Sequence, residues 1–269
     1  MQKVKPKKEL GQHFLTDLNV AARIASTLDD CTGLPVLEIG PGMGVLTQFL
    51  LEKGHDLTVV ELDSESVAYL SVNFPALDGR IVEADFLQLD LNELMGGRPF
   101  AVIGNYPYNI SSQIFFKILD YKDMIPECSG MLQREVAERL AAPEGTKTRG
   151  ILSVLLQAWY TVSYLFTVSE GVFNPPPKVK SGVVKLTRNA RTELPCDERL
   201  FRTVVKTTFG QRRKTIRNSV KPLVTNPSEI LLASPLLQKR PEQLSVDEFF
   251  ELTNLVAACR TNNKEADEQ

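Results

Sequence analysis

The stretch Val36-Leu37-Glu38-Ile39-Gly40-Pro41-Gly42-Met43-Gly44 decides the reading of this chain. Pro35 to Ile39 is a short apolar run that breaks into glycines. Val45 to Lys53 behind it has helical periodicity and closes at Gly54. A strand entering a helix through a glycine turn opens a βαβ unit, and such a turn lets a ligand approach the backbone closely. The dinucleotide fingerprint needs G-x-G-x-x-G. Here the spacing is G-x-G-x-G, and Val45 stands where that fingerprint has its third glycine. Glu38, just before the turn, would repel a pyrophosphate and tolerate a ligand bearing an amine and a sulfonium. The chain has no G-x-x-x-x-G-K-[ST] loop, which excludes a P-loop NTPase on this motif.

Two further acids extend the pattern outward. Glu61 ends a second strand, Leu57 to Glu61, 17 residues after Gly44, where a Rossmann-type site places an acid for ribose hydroxyls. Asp85 follows a third strand, Arg80 to Glu83, and can accept a hydrogen bond from an adenine amino group. Three acids at successive strand ends fit S-adenosylmethionine far better than NAD. A fourth strand, Phe100 to Gly104, and a fifth ending at Gln133 alternate with helices at 64–73, 111–120 and 134–142. This alternation predicts a parallel, doubly wound α/β sheet. Tyr160–Val168 and Ser181–Arg188 read as strands that pair antiparallel at its edge. At the start, residues 1–15 read as an extended arm, and Thr16 as the cap of a helix through Val20, Ile24 and Leu28.

After the fourth strand comes Asn105-Tyr106-Pro107-Tyr108. The N6 lone pair of adenine is delocalised into its ring, so methylating it needs acceptors around the N6 hydrogens that favour a pyramidal nitrogen. The Asn105 side-chain oxygen is one acceptor and the Tyr106 carbonyl a second. Pro107 restricts Tyr106 to an extended conformation, and Tyr108 offers a face for the base, worth roughly 1–3 kcal/mol by stacking. No strong base is needed, because the product ammonium is acidic and releases its proton to water.

Composition agrees. The 269 residues are 43% hydrophobic and 24% charged, ordinary for a globular protein. Four scattered cysteines without a C-x-x-C pair and only two histidines argue against a metal and for a cytoplasmic, reduced protein. No signal peptide is expected, and the uncharged stretch from Gly150 to Ser169 reads as a core helix and strand rather than a membrane span. The net charge of −2 hides a polarity. Residues 171–217 carry twelve Lys or Arg against three acids, +9, which leaves −11 on the other 222 residues. Lys3, Lys5, Lys7 and Lys8 form a second basic cluster. Basic stretches against an acidic remainder suggest a polyanion-binding face. Beyond residue 190 only helices are expected, at 201–209, 227–232 and 245–258, with a frayed tail from Lys264 to Gln269. The predicted division is 1–189 for the sheet domain and 190–269 for a small helical RNA-binding domain.

These motifs together resemble the ribosomal RNA adenine N6,N6-dimethyltransferases, the KsgA/RsmA family, over about residues 5 to 260. The resemblance rests on Gly11-Gln-His-Phe-Leu15 (G-Q-N-F-L in the family), E-I-G-P-G (38–42), V-V-E-L-D (59–63), E-A-D (83–85) and N-Y-P-Y-N-I-S (105–111). M-L-Q-R-E-V-A-E-R-L (131–140), V-F-N-P-P-P-K-V (172–179) and F-G-Q-R-R-K (209–214) continue it. The resemblance implies a class I methyltransferase fold with a seven-stranded, mostly parallel sheet and an antiparallel edge strand. It implies that His13, Leu15, Gly40, Glu61, Asp85 and Asn105 line an S-adenosylmethionine pocket, with Glu38, Gly42, Leu62 and Phe86 beside them. Phe173 would cover the target base opposite Tyr108. The implied substrate is a pair of adjacent adenosines in the 3′-terminal hairpin loop of 16S rRNA in the small (30S) subunit, acted on by a monomer. Lys178, Lys180, Arg212, Arg213 and Lys214 are the expected phosphate contacts. His13 and Tyr106 depart from the family pattern, which has Asn and Leu or Ile there. An Erm-like enzyme, a DNA adenine methylase and an assembly factor without catalysis are the rival readings.

Overall fold

The computed structural model describes residues 4–7, 10–224 and 226–267, the last seven by backbone alone. Lys3 and Lys8 of the expected N-terminal cluster lie outside them. The chain divides into two compact units. One is built from the residues up to Glu138 together with Tyr160–Arg188, the other from Arg139–Trp159 and the residues from Asn189 on.

Among its described residues the first unit carries nine strands: β1 (Phe14–Leu15), β2 (Val36–Ile39), β3 (Leu57–Glu61), β4 (Ile81–Glu83), β5 (Ala101–Asn105), β6 (Glu127–Gln133), β7 (Tyr160–Val168), β8 (Phe173–Asn174) and β9 (Ser181–Arg188). Seven form one sheet in the order β4-β3-β2-β5-β6-β9-β7. The first five run parallel. β2 and β3 are buried at every position, as strands covered on both faces by helices must be. Helices Thr47–Glu52, Ser64–Asn73 and Ser111–Asp120 make the crossovers. The chain steps outward from β2 to β3 and β4, then returns to place β5 on the other side of β2. That reversal leaves a crevice at the carboxyl ends of β2 and β5.

Two details differ from expectation. The antiparallel strand is not at the edge. β9 lies between β6 and β7 and runs antiparallel to both, so the edge strand β7 shares the direction of the parallel set. The hairpin β7–β9 inserts its second strand, and its long connection supplies β8, which pairs antiparallel with β1. The first helix, Leu18–Ala25, is capped by Asp17 rather than Thr16. Asp17 accepts from the N–H groups of Asn19 and Val20 at 2.9 and 3.1 Å. Thr16 binds elsewhere: its N–H and hydroxyl both donate to the Val172 carbonyl, at 2.8 and 2.9 Å.

The second unit is helical. Glu198–Gly210 packs on the helix Val246–Asp267 through Phe201–Phe250 and Phe209–Phe249 ring pairs 5.1 and 6.0 Å apart. The division is not the contiguous split at 189/190, because residues 139–159 belong here. Ile151–Gln157 packs on Glu198–Gly210, and the buried Arg149 ties the segment together by donating to Ala142 O and Gln157 Oε1 at 2.8 and 2.7 Å. The segment expected as a frayed tail is helical through Asp267. Among the described residues no helix is long and apolar enough to cross a membrane.

Tyr106 shows how tightly the sheet is built under the crevice. Its ring is 1% exposed and lies against Gly104 and Gly130, which are register partners on β5 and β6. Its hydroxyl donates to Ser129 O at 2.6 Å. A Cβ on Gly130 would stand 2.4 Å from the Gly104 carbonyl oxygen and 2.6 Å from the Tyr106 ring. Gly130→Ala is expected to destabilise the protein by about 1–3 kcal/mol, as overpacking of a filled interior does. Urea denaturation checks this, and an unchanged midpoint refutes the slot.

Candidate active site

The carboxyl ends of β2, β3 and β5 and the turn after β4 open into one cleft within the first unit. His13, Leu15, Glu38, Gly40, Gly42, Glu61, Leu62, Asp85, Phe86, Asn105, Tyr106, Pro107 and Tyr108 all line it. Residues 10–15 close one side. Among the described lining residues three are carboxylates and none is Lys or Arg. That set of acceptors, with no cation in it, rejects a pyrophosphate. It fits S-adenosylmethionine, whose amine and sulfonium are cationic and whose ribose and adenine need acceptors.

Each acid is held by local structure. Glu38 is 1% exposed, and its Oε2 accepts from the Thr47 hydroxyl at 2.7 Å. Burial pushes its carboxyl up to about 8, against the pull of that hydrogen bond. Glu61 Oε2 accepts from Gly42 N–H at 3.0 Å, while Oε1 accepts from Leu62 and Asp63 N–H, both at 2.9 Å. Burial raises the Glu61 carboxyl above its ordinary range, and these N–H donors offset only part of the rise. Gly42 adopts φ +56°, and a Cβ there would meet the Phe14 ring at 2.8 Å, so the turn tolerates no larger residue. Asp85 caps the turn Phe86–Gln88 by accepting from Leu87 N–H at 2.9 Å.

The 105–108 loop faces the glycine turn across the crevice. A Cβ on Gly40 would come within 3.8 Å of Pro107 Cδ. Asn105 donates its side-chain amide to His13 O at 3.1 Å. Tyr108 shares a 2.5 Å hydrogen bond with the Ser181 hydroxyl, and its ring centroid lies 5.3 Å from that of His13. Tyr106 reaches the cleft while its ring is buried as described above.

Phe173 is not brought to this cleft. It is 4% exposed in the core with Leu15, Met131 and Val183, because β8 pairs with β1 and its alternation turns Phe173 inward and Asn174 outward. Phe14 is buried too. Lys178, Lys180, Arg213 and Lys214 are exposed. Arg212 is partly engaged: its guanidinium donates to Lys147 O and lies 3.8 Å from the Glu242 carboxylate. Lys7 is not a bare cation either. It pairs with the buried Asp63 and, at 3.2 Å, with Glu65. Burial alone would raise the Asp63 carboxyl, but Lys7 and Ser66 hold it below the usual range. The sequence reading missed this pair, together with Gln12, whose Oε1 accepts from Lys7 N–H at 2.8 Å, and Ser181. The one local signal was the acid spacing in Glu61-Leu62-Asp63.

The model of the family described as ribosomal RNA adenine dimethylase matches residues 3–258. The chain belongs to that family. It is 72% identical over 253 residues to the ribosomal RNA small subunit methyltransferase A of Parabacteroides distasonis, covering 94% of each chain. Among solved structures, the 23S rRNA methyltransferase ErmE is 27% identical with a TM-score of 0.66, over 90% of this chain and 99% of that one. A dimethyladenosine transferase from Plasmodium falciparum shares the fold at a TM-score of 0.75 and 23% identity, over 89% and 96% of the two chains. The family member is a class I methyltransferase, and S-adenosylmethionine is its cofactor.

A Glu38 carboxyl protonated in the fold and ionised in the unfolded chain binds an extra proton in the native state. Its contribution to stability is therefore present at low pH and is lost as pH rises from about 4.5 to about 8. Glu38→Gln is expected to flatten that fall. Thermal unfolding of both proteins without added ligand, from about pH 5 to 8, measures it, and parallel curves refute the assignment.

Proposed function

We propose that the protein dimethylates N6 of two adjacent adenosines in the 3′-terminal hairpin loop of 16S rRNA, acting as a monomer in the cytoplasm on the small subunit or its precursor. The observation that carries this reading is the approach of Pro107 to Gly40. It places an Asn-Tyr-Pro-Tyr loop against the glycine turn of a cleft walled by acids. The name shared by the 72%-identical relative supports the small-subunit substrate.

S-adenosylmethionine, when bound, supplies a methyl group on an activated sulfonium. Glu61 and Asp85 offer acceptors for its ribose and adenine, and Glu38 lines the same cleft without adding a cation that would repel its amine or sulfonium. On the substrate side, the Asn105 oxygen and the Tyr106 carbonyl accept the two N6 hydrogens in the first transfer, and one of them accepts the single N6 hydrogen that remains in the second. This localises the nitrogen lone pair and fixes its direction, so orientation rather than a base carries the catalysis. The displaced proton leaves to water. Tyr108 stacks on the base, braced by Ser181. Unpaired loop adenosines suit such a site because they cost least to extrude. Lys178, Lys180, Arg213 and Lys214 meet backbone phosphates, with Arg212 contributing only the part of its charge not engaged by Glu242.

Asn105→Ala is expected to lower turnover on undermodified small subunits by about 100-fold or more, with S-adenosylmethionine affinity held within a few-fold. Mass mapping of methylated nucleosides and calorimetric titration read the two quantities. Wild-type turnover refutes the role of Asn105, and dimethyladenosine appearing only on large-subunit RNA refutes the substrate. Changing Arg213 and Lys214 together to Ala should reduce the slope of log affinity against log salt by about 1.5. An unchanged slope in filter binding removes both residues from the interface.

A further inference from the structure

His13 occupies a junction that the resemblance to the family does not explain. Its carbonyl accepts the Asn105 side-chain amide at 3.1 Å. Its Nδ1 lies 2.8 Å from Pro175 O, and its ring packs beside Tyr108. Immediately after it, β1 pairs with β8, with Phe14 opposite Asn174 and Leu15 opposite Phe173.

Both bonds are chemically one-way. A peptide carbonyl can only accept, so Nδ2 of Asn105 must face His13 and the planar amide turns Oδ1 to the other side. Among the described residues nothing donates to that Oδ1. For the same reason, Nδ1 of His13 must carry the proton toward Pro175 O.

We propose that His13 is a positioning residue: its carbonyl sets the flip of the Asn105 amide, and its ring ties that carbonyl to Pro175. This rests on the reading of Asn105 as acceptor for the adenine amine. The residue then acts through Asn105 and not as a base. Because Nδ1 keeps its hydrogen whether or not the imidazole is protonated, the anchor holds at either charge. Asn at this position places an amide N–H₂ as many bonds from Cα as Nδ1, so it can make the same bond. Phe keeps the ring against Tyr108 and loses the donor.

The test compares His13→Phe, His13→Asn and Asn105→Ala in the full chain. In His13→Phe, turnover at saturating S-adenosylmethionine should fall about ten-fold, with an unchanged melting temperature. The Asn105 side-chain amide resonances in a ¹⁵N correlation spectrum should move toward those of a solvated amide. His13→Asn should restore turnover to within three-fold and keep the wild-type pH–rate profile. Unmoved Asn105 resonances in His13→Phe overturn the proposal, as does wild-type turnover of that variant while Asn105→Ala is inactive. A pH–rate profile altered in His13→Asn also overturns it, since the imidazole would then be exchanging a proton. Full activity in Asn105→Ala would remove the underlying reading instead, and the resonances would still decide whether His13 holds the amide.

Discussion

A single carboxylate joins two of the strand ends on which the cleft is built. Glu61 closes β3, yet one of its oxygens holds the N–H of Gly42 in the turn after β2, and the other gathers the N–H groups of Leu62 and Asp63. The turn is thereby fixed by a charge-assisted bond rather than by its own loop alone. Everything downstream relies on that fixed turn. Gly40 can lie close to Pro107 only because the backbone before Gly42 is held, and Phe14 can pack over Gly42 only because no side chain is there.

The same economy governs the loop after β5. Tyr106 presents its backbone to the cleft while its ring fills a slot between Gly104 and Gly130 and bonds to Ser129 O. The departure from Leu or Ile at this position is therefore absorbed inside the sheet. The cleft meets a peptide group there, and the side chain packs against β5 and β6.

Much of this was legible in residue order. Strands such as Leu57–Glu61 announce themselves because β-branched and apolar residues run without interruption, and the acids that follow them fall at the carboxyl ends where a parallel sheet collects its ligands. Local chemistry separated Asp17 from Thr16 less clearly, since either side chain can cap a helix and only the entry angle of the chain chooses. What residue order hid are partnerships across great distances along the chain. The insertion of β9 between β6 and β7, the inward turn of Phe173, the pairing of Lys7 with Asp63 and the bond from His13 to Pro175 depend on elements far apart in sequence. No local periodicity encodes them. The placement of 139–159 with the second unit is of the same kind, set by packing on a helix some forty residues later.

The pairing of β1 with β8 has a consequence for synthesis. Residues 13–16 leave the ribosome well before their counterparts, because the carbonyls and backbone that receive them belong to 172–175, about 160 positions later. During translation the growing chain can assemble β2 to β6, with their acids in place, while one wall of the cleft still lacks its counterpart. The nascent protein thus has the elements of a donor pocket before it has a finished one. Completion awaits the emergence of the segment that pairs with residues 13–16.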